Sequence, residues 1–115
     1  MTNSVMAFAP ANMSCVFSIC KSKNPRWTGS CGIGFTLSEG VCVKALKSTR
    51  TDVFFNEKRV QMPTVNYVLE NLSQEKVEIH IKCNLTLGCG FGLSGASALA
   101  SAYAVNKLLR LGKTQ

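Results

Sequence analysis

The chain has 115 residues, 46% of them hydrophobic, and a formal net charge of +7. That length holds one domain with a modest core, and no apolar run approaches the ~20 residues a membrane-crossing helix needs. Residues 1–10 carry no basic segment ahead of an apolar one, so they do not read as a secretory signal, and a cytoplasmic protein is expected.

In chain order, residues 5–8 form an apolar run that ends at Pro10, and residues 15–19 form a second run of strand character. Residues 21–29 are a polar, basic loop punctuated by Pro25 and Gly29. Residues 33–37 and 41–46 read as two strands, and Ser38-Glu39-Gly40 between them reads as a hairpin turn. A second hairpin is expected where residues 53–55 and 59–61 flank Asn56-Glu57-Lys58. Pro63 suits the first turn of a helix, with Val65, Val68, Leu69 and Leu72 on one face and residues 71–74 closing it. Val77, Ile79 and Ile81 then alternate with Glu78, His80 and Lys82, the pattern of a half-buried strand, here taken to run on to Leu87. After a glycine-rich stretch, Ala98, Ala102, Val105 and Leu109 mark one face of a helix reaching about Arg110, and Ala96, Ala98, Ala100, Ala102 and Ala104 keep one flank narrow enough for close packing. Strands dominate early and each helix follows strands, which is an α+β arrangement.

The six cysteines include no Cys-x-x-Cys pair, and His80 has no spaced partner, so a zinc ligand set is not visible. The cysteines read as reduced thiols serving as small apolar residues. Basic residues are scattered (Lys21, Lys23, Arg26; Lys44, Lys47, Arg50; Lys107, Arg110, Lys113), and no acid follows Glu78. This balance suits an anionic ligand; a nucleic-acid-binding module and a plain solvated surface remain as alternatives. Aromatics interleaved with Lys and Arg, which a nucleic-acid surface favours, are scarce here.

Between the last strand and the last helix, Gly88, Gly90, Gly92 and Gly95 surround Phe91 and Ser94. A strand–glycine loop–helix presents bare backbone N–H groups and a positive helix end to a phosphate. Two generic motifs fail. Gly112-Lys113-Thr114 has Lys107 where a P-loop needs its first glycine. Gly90, Gly92 and Gly95 match Gly-x-Gly-x-x-Gly, but no acid lies about 20 residues on to hold a ribose.

The segment from Thr86 to Ala96 resembles the phosphate loop of the GHMP kinases, Pro-x-x-x-Gly-Leu-Gly-Ser-Ser-Ala-Ala, with Gly90, Gly92, Ser94 and Ala96 in register. Phe91 replaces the usual Leu and Gly95 a small Ala; Thr86 stands where Pro is usual and Leu93 where the first Ser is usual. Ala9-Pro10-Ala11-Asn12-Met13-Ser14 is similar to the family's amino-terminal Ala-Pro-Gly-Lys/His motif. Gly-Phe-Gly-x-Ser-Gly-Ala, the early Ala7-Phe8-Ala9-Pro10 and residues 28–37 are similar to the archaeal pantoate kinase group within the family.

The resemblance implies an amino-terminal GHMP kinase domain over residues 1–115, a mixed sheet packed against helices, that binds ATP and magnesium. It implies a second domain beyond Gln115, carrying a further glycine motif and, in many members, the catalytic base. It places Gly88, Gly90, Phe91, Gly92, Ser94, Gly95 and Ala96 at the phosphates, with the Ser94 hydroxyl near magnesium. Pro10, Asn12, Ser14, Ser30 and Gly32 would lie near a small hydroxy-acid acceptor, with Asn12 where Lys or His is often found. A homodimer is the one protein partner expected; no membrane and no nucleic acid are. For several of these residues a plainer role competes: helix capping for Ser94, turn chemistry after Pro10 for Asn12 and Ser14, and an ordinary loop for Ser30 and Gly32. Trp27 reads as a cover for the core, with stacking on adenine as the alternative, and Asp52 is not nominated as a base.

Overall fold

The computed structural model describes residues 4–114. Five strands form one mixed sheet: β1 (Ser4–Cys20), β2 (Gly29–Lys47), β3 (Asp52–Phe55), β4 (Lys58–Arg59) and β5 (Val77–Cys83), in the order β1-β2-β5-β3-β4. Only β3 and β5 run parallel; the other neighbours are antiparallel. Two helices, α1 (Pro63–Leu72) and α2 (Leu93–Leu108), pack together over one face. This is the α+β mixed sheet against helices that the resemblance implies.

Alternation decides which side is dry. Val41, Val43 and Ala45 on β2, Val77, Ile79 and Ile81 on β5, and Val53 and Phe55 on β3 are buried in one core with Val65 and Leu69 of α1. The alternate residues face outward, where Phe54 stacks on His80 with ring centroids 4.8 Å apart. Asp52 lies 3.3 Å from both Arg50 and Arg59, so its carboxylate is held in surface ion pairs. On α2, Ser97 and Ser101 are fully buried among Ala96, Ala100 and Ala104, small residues that let the helix backbone settle close to β1 and β2.

Several expectations are corrected. The apolar runs at 5–8 and 15–19 belong to one 17-residue strand, and the two strands at 33–37 and 41–46 to one of 19 residues. No hairpin turn forms at Ser38-Glu39-Gly40. Gly40 instead pairs with Pro10 across the strands, and a Cβ there would collide with the Ala9 carbonyl oxygen and the Pro10 Cα. The glycine allows close approach rather than a turn. Pairing slips between Pro10 and Asn12 and between Ser14 and Val16, so bulges absorb the irregular sequence.

The true connection is the loop at 21–28. There the Asn24 side chain accepts from the Arg26 N–H at 3.0 Å, and Ser22 and Thr28 exchange bonds of 3.0 Å. Trp27 sits at this tip, 77% exposed, and covers no core. The second hairpin forms as expected, with Asn56 (φ 48°) and Glu57 (φ 73°) in the left-handed region a tight turn between twisted strands needs. Its second strand is only Lys58–Arg59. All six cysteines are free, but only Cys83 is buried, so the others are not packing residues.

Candidate functional site

β5 ends at Cys83, four residues short of the expected limit, and the chain crosses to α2 through residues 84–92. Leu85, Leu87 and Phe91 pin this crossing to the core. Between and beside them Gly88, Gly90 and Gly92 stay exposed, with φ of 77°, 83° and 66°. Cys89 and Phe91 do not have positive φ, so the sign of φ alternates along the loop. Alternation between right- and left-handed helical residues is the backbone pattern that gathers successive N–H groups into a nest for anions. A Cβ at Gly88 or Gly90 would meet nothing within 4 Å, so these glycines serve backbone shape and leave the space above them open.

Gly92 is also the N-cap of α2, and no side chain caps the helix there. The first helical bond runs from the Ala96 N–H to the Gly92 carbonyl at 3.0 Å. The N–H groups of Leu93, Ser94 and Gly95 therefore have no partner within the helix, and the helix dipole adds positive potential to them. No acid occupies the first turn to compete for that field. Ser94 is the second helical residue and exposed, so it is not the cap.

The amino-terminal motif meets this loop directly. The Asn12 N–H donates to the Phe91 carbonyl at 3.0 Å. A Cβ on Gly92 would fall 2.8 Å from Asn12 Oδ1 and 3.0 Å from Nδ2. Gly92 is thus constrained twice, by its left-handed φ and by the Asn12 carboxamide against it. Pro10 and Ser14 flank this contact on β1.

Ser30 and Gly32 are placed otherwise. They pair with Ile19 and Phe17, seven and five residues past Asn12, roughly 16–23 Å along a strand rising ~3.3 Å per residue. The described residues do not bring them to the glycine loop. Lys21, Lys23 and Arg26 are exposed at the far tip.

Asn56 is a contributor that sequence reading missed. Its backbone N–H donates to the Ile81 carbonyl at 2.8 Å. Its side-chain amide donates to the Cys83 carbonyl at 2.9 Å and its Oδ1 accepts from the Cys83 N–H at 3.0 Å. One turn residue so extends the β3–β5 ladder and fixes the point from which the glycine loop departs. The Asn-Glu turn was legible, but the 27-residue reach of its carboxamide was not.

Among the described residues, no group of three or more His, Cys, Asp or Glu could hold a metal ion, and no helix is long and apolar enough to cross a membrane. Cavity size does not mark the site. A hollow of about 470 Å³ lies by the end of α1, lined by Thr51, Asn66, Glu70, Glu75, Lys76 and others, with two acids against one lysine. The glycine loop is an open cradle, which suits a polyanion that stays partly solvated.

Comparisons with known proteins agree with this geometry. The family described as "GHMP kinases N terminal domain" matches residues 59–115. A pantoate kinase of Methanocaldococcus jannaschii is 36% identical over 92% of this chain and 40% of its own length. A pantoate kinase of Methanospirillum hungatei is 33% identical over 90% of this chain and 39% of its own. The chain therefore spans about two fifths of the curated relatives it matches. A solved structure described as a phosphotransferase related to the CoA biosynthesis pathway superposes with a TM-score of 0.80 at 30% identity, covering 96% of this chain and 41% of that one. With the cradle, the mixed sheet and these relatives in agreement, the chain belongs to the GHMP kinase family and aligns with its pantoate kinases.

Proposed function

We propose that this chain is the nucleotide-binding part of an ATP-dependent kinase acting on pantoate. The γ-phosphoryl group would pass to a pantoate hydroxyl, giving phosphopantoate and ADP, a step towards coenzyme A. The observation that carries the reading is the contact of Asn12 with Phe91 and Gly92. It sets the segment expected to face the acceptor against the loop expected to hold the phosphates. The pantoate kinases aligned over nine tenths of the chain support pantoate as the acceptor.

Phosphoryl transfer depends on positioning and charge neutralisation. The amides of residues 88–92 and of Leu93, Ser94 and Gly95 would hold phosphate oxygens. The Ser94 hydroxyl, exposed on the first turn of α2, would reach the β-phosphate or its metal. Magnesium enters with the nucleotide on this reading. Among the described residues no carboxylate set stands beside that hydroxyl, so phosphate oxygens and water would supply most of the ion's coordination. Asp52 is engaged by Arg50 and Arg59 and is not assigned as the base.

The test is ADP release by the natural protein carrying this sequence, with pantoate, mevalonate, homoserine and shikimate compared as acceptors. Preference for pantoate supports the reading, and preference for another acceptor reassigns the substrate within the family. A protein that binds no nucleotide overturns it.

A further inference from the structure

Residues directly opposite each other in an antiparallel ladder project from the same face of the sheet, with Cα atoms roughly 5 Å apart. Asn12 is opposite Thr36 in this way, and Ser14 is opposite Gly34. Pairing is regular from Asn12 to Ser14, between the two slips. Asn12, Ser14, Gly34 and Thr36 therefore share one face, while Met13 and Phe35 take the other. The Asn12 carboxamide lies against Gly92, so the shared face is the one turned to the glycine loop. Thr36 stands beside the phosphate cradle, one strand spacing of ~4.8 Å beyond Asn12. The register brings Thr36 there, rather than Ser30 or Gly32, which pair farther out with Ile19 and Phe17.

This strip has a definite chemistry. Asn12, Ser14 and Thr36 are exposed. Each carries a neutral group that both donates and accepts hydrogen bonds, and none of the strip's residues is charged. Gly34, two residues along β2 from Thr36, has no side chain to cover the threonine hydroxyl. Lys21, Lys23 and Arg26 stand at the far tip of the arm. Neutral groups that donate and accept match an alcohol, whereas a carboxylate is held best by cations or several N–H groups. Transfer of the γ-phosphoryl group requires the reacting hydroxyl in line with the phosphates, and so beside the loop. The hydroxyl-bearing end of the acceptor then lies over this strip, and its carboxylate points away from it.

Asn12 is tied to the nucleotide side by its contact with Gly92 and its backbone bond to Phe91. Thr36 is the hydrogen-bonding side chain next to it in the same row. We propose that Thr36 contacts the acceptor, its Oγ1 hydrogen-bonding an acceptor hydroxyl and holding that end of the molecule against the phosphate loop. A site that hydrogen-bonds a hydroxyl rejects analogues lacking it, which makes Thr36 a specificity residue. The inference rests on the kinase reading and deepens it by naming a residue that selects a hydroxy-acid.

Steady-state kinetics of the natural protein carrying this sequence, with Thr36→Val and Thr36→Ser, test it. Val keeps the shape and the strand preference of Thr without its hydroxyl; Ser keeps the hydroxyl. The expected result for Thr36→Val is a fall of about ten-fold in kcat/KM for the preferred acceptor, with KM for ATP changed by less than about two-fold. Thr36→Ser should stay within about three-fold of the unmodified protein. Tm should hold in both, since residue 36 is exposed; should Thr36→Val lose its fold, Thr36→Ala takes its place with the same expected fall. An unchanged kcat/KM for the acceptor, equal losses in the Val and Ser variants, or a loss confined to KM for ATP would overturn the proposal and leave the kinase reading standing. An unmodified protein that binds no nucleotide would overturn both.

Discussion

Two sets of glycines in this molecule do opposite work. Gly88, Gly90 and Gly92 in the loop before α2 have positive φ and are exposed; Gly88 and Gly90 have open space where a side chain would go. Gly32, Gly34 and Gly40 on β2 are not left-handed, but β1 backbone fills the space. A Cβ would fall 2.6 Å from the Val16 carbonyl oxygen at Gly32 and 2.7 Å from that of Met13 at Gly34. The first set shapes a chain to face a ligand, and the second lets two long strands lie close where their pairing slips. Gly92 alone belongs to both, being left-handed and pressed against Asn12.

The contrast can be broken by substitution, and the largest effect should come at Gly92. Gly92→Val combines left-handed strain of about 1–2 kcal/mol with overpacking on Asn12 of about 1–3 kcal/mol. Together these predict a loss of nucleotide affinity near 100-fold, measurable by calorimetric titration with ATP. Gly40→Ala should act on the fold instead. Its new methyl meets backbone that cannot swing away, so we expect roughly 2 kcal/mol of destabilisation and a fall in Tm of about 10 °C, read by thermal melting. Nucleotide affinity measured well below that Tm should change by less than about three-fold.

Ser94→Ala sharpens the ligand side. The kinase should lose at least about ten-fold in kcat, the scale of ~1.4 kcal/mol of transition-state stabilisation, while Tm holds. Unchanged kcat would remove Ser94 from the mechanism. An effect of similar size is expected where β5 leaves the sheet for the glycine loop. Asn56→Gly keeps the left-handed turn but loses the paired bonds to Cys83, so a cost of about 1–2 kcal/mol is expected. Faster amide exchange at Cys83 and Leu85 should accompany it.

Much of the fold was readable wherever a local pattern had one physical meaning. The alternation of Val77, Ile79 and Ile81 placed β5, Pro63 opened α1, and Asn56-Glu57-Lys58 marked a hairpin, although Lys58 belongs to its second strand. Reading failed where one residue type serves two purposes. Pro10 and Gly40 looked like turns, yet they face each other inside a long ladder. Trp27 looked like a core residue and stands at an exposed tip, because no local signal says whether a large apolar side chain has anything to cover it. The loop's glycines were legible because spacing and neighbours named them together. The closure of Asn12 onto Phe91 and of Asn56 onto Cys83 was not, since each contact joins distant parts of the chain.

The central claim is that amides between Gly88 and Gly95 receive the phosphates of a nucleotide; the Ala96 N–H, expected there too, is taken by the Gly92 carbonyl. Backbone amide shifts of the ¹⁵N-labelled chain, followed during titration with magnesium and ATP, test it most directly. The account predicts the largest shifts at Gly88, Gly90, Gly92, Ser94 and Gly95, saturating together. Largest shifts around Asn66, Glu70 and Lys76 at the end of α1, or none anywhere, would contradict it.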